Sequence, residues 1–101
     1  MKLEDKFHND MIHIYKTAKN ELGYNASRFI QLVSEKGGVQ AAKQLIMKEG
    51  GTDGFTTLWQ YHRLDLSVES YVIRDEYREL FTDEARMICQ KRLDDFKNKT
   101  S

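Results

Sequence analysis

The 101-residue chain has no proline, one cysteine and no net charge, with sixteen Lys and Arg balancing sixteen Asp and Glu. Each of these absences narrows the field. A single thiol, Cys89, excludes an internal disulfide framework and fits a reducing cytoplasm. No apolar run approaches the ~18 residues that a bilayer crossing needs, so no membrane association is expected. The opening MKLEDKFHND is acidic and lacks the charged-then-apolar layout of a secretory leader. Charge balance also removes the dense basic stripe that phosphate-held nucleic-acid binders carry.

What is present points to a folded unit. Apolar residues make up 40% of the chain and eleven positions are aromatic, enough for a modest core and against intrinsic disorder. At roughly 100–200 residues per domain there is room for one, expected over 1–97 with 98–101 as a disordered tail. The neutral total hides a gradient: residues 1–50 sit at +2 and 51–101 at −2, with a local −5 from Asp65 to Glu84.

Zero prolines and glycines at even intervals suggest short helices punctuated by turns. Phe7, Met11, Ile14, Ala18 and Leu22, widened by Tyr15, recur at helical spacing over about Glu4 to Leu22, and Gly23 supplies the stop. Asn25 is suited to cap a second helix over Ala26 to Lys36, with Phe29, Ile30, Leu32 and Val33 inward and Gly37-Gly38 closing it. A third helix, Val39 to Lys48, turns Val39, Ala42, Leu45 and Ile46 to one side. Its Ala41 and Ala42 permit close approach of a neighbour. Gly50-Gly51 ends it, and Thr52 or Asp53 caps a fourth helix, Gly54 to His62, with Phe55, Leu58 and Trp59 inward.

Leu64 to Ser67 reads as a tight corner, with Ser67 capping a fifth helix to about Ile73. Leu66 and Tyr71 are placed as a hydrophobic staple around that cap. A short turn from Asp75 to Leu80 leads to Thr82, which caps a last helix to Lys97 with Asp83 and Glu84 in its first turn. Ala85, Ile88, Cys89, Leu93 and Phe96 face inward there. No segment alternates with period two, so the expected class is all-α, a compact bundle of five to six short helices.

The strings YNASRFIQLVSEKGGVQAAKQLI, GFTTLWQYHRLDLSVESYVI and ELFTDEARMICQKRL resemble a recurrent small bacterial domain of uncharacterised proteins. The resemblance rests on Tyr24-Asn25, Arg28-Phe29, Gly37-Gly38, Gly54-Phe55, Leu58-Trp59, Arg63 to Leu66, Val68-Glu69 and Leu80-Phe81, and spans about Phe7 to Leu93. It implies a stand-alone or appended helical module, and it brings neither an activity nor catalytic residues.

The residues themselves offer little chemistry. His8 and His13 stand about 140° apart around a helix, off the shared face that a metal-binding pair needs, and read as solvated positions. No metal and no cofactor is expected. Cys89 sits on an apolar stripe, where a thiol is inert. Gly37-Gly38 lacks the spacing of a phosphate loop. Phe55, Trp59, Tyr71 and Phe81, with Met11, Met47 and Met87, read as core rather than as a stacking platform or cofactor box. Nearly every bulky apolar group is thereby assigned to closing the fold.

One polar cluster stands out: Arg28, His62, Arg63, Asp65 and Glu69, beside Tyr24, Trp59 and Tyr61. Asp65 and Glu69 are near enough to Arg63 to receive its guanidinium fork, either locking a helix corner or forming a binding patch. A second is the acidic stretch Asp75, Glu76, Glu79, Asp83 and Glu84 with Tyr77 as an exposed aromatic, suited to steering a basic partner. The expected function is a non-enzymatic helical binding or adaptor module recognising another macromolecule, in the first place a protein. The alternatives are a helix-turn-helix nucleic-acid binder, built on helices two and three with Arg28, Lys36, Gln40, Lys43, Gln44 and Lys48 or on helices four and five joined at Leu64 to Leu66, or a small bacterial or phage accessory protein acting on defence or DNA-processing machinery.

Overall fold

Six α-helices and two 3-10 segments form the chain in a computed structural model that describes residues 1–48 and 53–98. No strand occurs among the described residues, and the class is all-α. The helices are α1 (Leu3–Leu22), α2 (Ser27–Lys36), α3 (Gly38–Ile46), α4 (Asp53–Gln60), α5 (Val68–Val72) and α6 (Asp83–Lys97). The 3-10 segments are Leu64–Leu66, at the expected corner, and Asp75–Leu80. A radius of gyration of 12.7 Å agrees with the ~13 Å typical of one folded unit of this length. Gly50-Gly51, Thr52 and the terminal residues 99–101 lie outside the described residues, and with them the stop expected after α3 and the tail.

The long α1 organises the rest. Its stripe of Phe7, Met11, Ile14 and Ala18 is buried, and α2, α3 and both 3-10 segments pack around it. Near its start, Phe7 meets Tyr77 and Phe81 edge-on, with ring centroids 4.9 and 5.1 Å apart. Edge-to-face pairs of this kind add about 0.5–1.5 kcal/mol beyond the area they bury. Tyr77 donates its hydroxyl proton to the Asp10 carboxylate. It is wholly buried, which corrects its reading as an exposed contact residue; the apolar body of the ring outweighed its position in an acidic run.

The α1–α3 seam depends on two adjacent glycines. Gly37 ends α2 at φ 85°, a conformation that L side chains rarely adopt, and Gly38 opens α3 rather than closing α2. A Cβ at Gly38 would lie 2.6 Å from the His8 Cα, so the backbones of α1 and α3 touch there. The Gly38 N–H donates to His8 Nδ1 at 2.9 Å. His8 is therefore half-buried and caps a helix start, not a solvated residue. Ala41 and Ala42 are fully buried, as close packing of α3 requires.

Among the described residues, capping departs from expectation at α2. Asn25 does not cap α2; its Oδ1 accepts the Tyr15 hydroxyl at 2.7 Å, and Ala26 precedes the helix without a side-chain bond. Ser67 and Thr82 do cap α5 and α6, accepting the N–H groups of Ser70 and Ala85 at 3.2 and 3.1 Å. Leu66 and Tyr71, the staple pair, are both buried. Met47 and Met87 point to solvent at 72% and 71% exposure, so of the three methionines read as core only Met11 belongs there.

Candidate binding cleft

The polar cluster read around Arg63 separates into two sites. Arg63 forks onto Asp65, Nε to Oδ1 at 3.1 Å and Nη2 to Oδ2 at 3.2 Å, while Nη1 reaches Glu21 Oε1 at 3.0 Å. Those carboxylates, Asp65 foremost, hold the guanidinium pKa further above its ordinary value. The corner after α4 is thus tied to the end of α1, a partner that local spacing does not reveal. His62, in the left-handed region at φ 60°, and Tyr61 are exposed beside it. Trp59 is held elsewhere: its Nε1 donates to the Phe96 carbonyl at 3.0 Å and its ring stands edge-on to Phe96.

Glu69 does not join Arg63. It is 3% exposed, and its Oε2 accepts Arg92 Nη1 from α6 at 2.9 Å. The other terminal nitrogen, Arg92 Nη2, donates to the carbonyls of Ile46 and Lys48 at 3.2 and 2.9 Å. The last carbonyls of a helix have no partner within it, so this guanidinium completes the end of α3 while neutralising Glu69. Arg86, one helical face along, does the same for α5 through the carbonyls of Val72 and Ile73. Arg92 was missed, although a signal existed: it sits three residues after Cys89 and four after Ile88, inside the apolar stripe of α6. A charge on an inward stripe calls for a buried partner. Glu69, three residues before Val72, is the matching case on α5.

Cys89 lies in the same region, and burial pushes its thiol up to about 12, with Glu69 adding to the effect and Arg92 opposing it. It is protonated and unreactive at neutral pH. Among the described residues no group of three or more His, Cys, Asp or Glu side chains is placed to hold a metal ion. No helix among them is long and apolar enough to cross a membrane.

The acidic stretch is partly neutralised. Glu76 accepts Lys6 at 2.8 Å and has Arg74 at 3.6 Å, and its carboxyl titrates below the usual range chiefly because of the Lys6 bond. Asp75 is shared by Arg78 at 3.3 Å and Arg86 at 3.8 Å. Glu79, Asp83 and Glu84 remain exposed.

The larger feature is a cleft of about 500 Å³ that opens to solvent between α1, α2, α3, α4 and the start of α5. Ile14, Ala18, Phe29, Leu32, Leu45, Phe55, Leu58 and Val68 supply its walls, and Tyr24, Arg28, Gln44, Lys48 and Asp53 stand among its polar lining residues. Small side chains help to create it: Ala18 and Ala26 stand where larger residues would fill the gap. The bond from Tyr15 to Asn25 pins the α1–α2 connection along one edge. Glu69 belongs to the lining too, its charge already met by Arg92. Of the predicted site residues, Arg28 and Glu69 line this cleft with Tyr24; Trp59, His62, Arg63, Asp65, Asp75, Glu76, Tyr77 and Glu79 do not. The expectation that closing the fold consumes nearly all bulky apolar groups is therefore revised, because Phe29, Leu32 and Leu45 are only half-buried and front an open space.

Compared with known protein families, curated proteins and solved structures, the chain matches none of them.

Proposed function

We propose that the chain is a non-enzymatic binding module that recognises another protein through the cleft between α1, α2, α3 and α4. The carrying observation is the cleft itself: about 500 Å³, lined by apolar side chains with several polar ones among them. An open groove with apolar walls and a few polar groups can seat the apolar anchors of a partner protein's segment. The state of the reactive side chains supports binding rather than chemistry. Cys89 is a buried thiol, His8 is engaged with Gly38, and the buried carboxylate Glu69 is paired with Arg92. The acidic stretch is the weaker surface, since Asp75 and Glu76 already have cationic partners and Tyr77 is inside.

A comparison of two baits tests the reading. The protein and its Leu45→Trp variant, which fills one wall of the cleft, are used to capture proteins from lysate at low salt. A partner retained by the first and lost by the second, with helicity and melting temperature unchanged, is the expected result. Equal capture by both removes the cleft from the function.

One observation favours a nucleic-acid reading: Arg28, Lys36, Gln40, Lys43 and Gln44 on α2 and α3, and Lys48 just after α3, are all exposed. Against it, one residue, Gly37, separates these helices, and the first turn of α3 is pressed against His8, where a recognition helix needs that turn free. Absence of a mobility shift with mixed duplex DNA at ~50 mM salt, where phosphate contacts are strongest, disposes of it.

A further inference from the structure

Resting on the reading of the cleft as a protein-binding site, we infer that its partner is an acidic amphipathic segment: bulky apolar side chains seated in the cleft, with flanking carboxylates on Arg28 and Lys48. The first ground is charge. Across the molecule, Lys6, Arg63, Arg74, Arg78, Arg86, Lys91 and Arg92 all have carboxylate partners. Arg28 and Lys48, both exposed, have none among the described residues; neither have the exposed Lys16, Lys19, Lys36 and Lys43, but of these cations only Arg28 and Lys48 line the cleft. Lys36 and Lys43 are exposed on the same two helices outside the cleft lining, and the 27–48 segment carries four bases against the single acid Glu35, a net +3. Among the described residues Asp53 is the one exposed carboxylate in the cleft lining, and Glu69 is neutralised by Arg92. An incoming anion therefore meets a net attraction there, and a basic segment is repelled.

The second ground is shape. The cleft is open along its mouth, which suits a segment that remains attached to a larger body; a free small molecule requires fuller enclosure. Its walls come from several helices, and half-buried Phe29, Leu32 and Leu45 offer contact area that no described side chain fully covers. Seating apolar anchors in a groove while charged flanks set orientation is a common way for folded domains to read short protein segments.

Panning a phage-displayed library of random peptides on the folded protein tests this directly. The enriched peptides are then synthesised, labelled and titrated by fluorescence anisotropy at low and high salt. Large apolar residues interleaved with Asp and Glu are the expected consensus. Binding should weaken about tenfold in the Arg28→Glu/Lys48→Glu double variant, whose exposed side chains have no structural partner, and also as salt rises. Leu45→Trp should abolish binding while helicity and melting temperature hold. Neutral or basic peptides that are still blocked by Leu45→Trp overturn the acidic partner and leave the cleft reading standing. If no peptide is enriched, or Leu45→Trp changes nothing, both fall. Displacement of the peptides by micromolar laurate overturns the proposal in favour of a small amphiphile. Dissociation of a homodimer by the charge-reversed variant overturns it in favour of a second copy of this chain.

Discussion

Arg63 and Arg92 both bind carboxylates, yet they stand in opposite settings. Arg63 lies at a surface corner, with Glu21 and Asp65 more than half exposed, whereas Arg92 and Glu69 are 9% and 5% exposed at the side chain. Water competes for the first pair and stabilises each charge when the other is removed. The second pair has no such substitute, and the two α3 carbonyls depend on the same guanidinium. Similar geometry therefore carries different weight, and burial decides which contact the fold cannot lose.

The largest expected effect comes from Arg92→Ala. It strands the Glu69 carboxylate and two carbonyls, and should cost about 3–5 kcal/mol in urea-induced unfolding. The Glu69→Leu/Arg92→Met double variant sharpens the comparison. Removing both charges should recover most of that loss, and the remaining deficit measures the value of completing α3. If the double variant is no better than Arg92→Ala, the carbonyl contacts and not the ion pair dominate.

Next in size is Gly38→Ala, which places a methyl group against the backbone of α1 at the buried start of α3. Helices α1 and α3 must part to admit it, at a cost of about 1–3 kcal/mol, read as a fall in melting temperature.

Alkaline pH probes whether the surroundings of Arg92 are dry. The folded thiol of Cys89 titrates at about 12, above its usual value near 9. Between these values the unfolded chain has released the proton and the folded one has not. Stability arising from this shift is complete below about 9 and declines as pH climbs toward 12. Tyr77, raised by burial and then by Asp10, acts in the same direction above 10. Urea midpoints should therefore fall from pH 9 upward, and iodoacetamide should leave native Cys89 unmodified at pH 8. Rapid modification in the native protein would show that the pair is hydrated and erase the contrast with Arg63.

The smallest effect belongs to Asp65→Ala. Glu21 still receives Arg63, and the pair is solvated, so the expected loss is under ~1 kcal/mol by thermal melting and shrinks in high salt. A loss as large as that of Arg92→Ala would break the comparison.

Helical periodicity carried most of the architecture in readable form. Phe7, Met11, Ile14 and Ala18 repeat on one stripe, and Ser67 and Thr82 announce the starts of α5 and α6 through local chemistry. Tertiary partners escaped for a physical reason. Glu69 is four residues from Asp65 in sequence but bonds across to α6, and Asn25 gives its oxygen to Tyr15 rather than to its own helix. The cleft was illegible because it is made of what is missing between helices, and no single stretch of chain encodes a gap. Only its small residues, Ala18 and Ala26, hint at it, and in sequence they look like ordinary helix formers. Arg28 and Lys48 were grouped in the sequence only as part of a nucleic-acid surface; their shared place in the cleft lining depends on how α2 and α3 pack.

The guanidinium of Arg92 joins groups from near residues 46, 69 and 92. During synthesis on the ribosome, the helices up to α3 must therefore wait for α6 to emerge before α3 acquires its terminal anchor. Nascent chains arrested before Arg92 leaves the exit tunnel should remain sensitive to protease around residue 46, and completion of the last helix is the event that confers resistance.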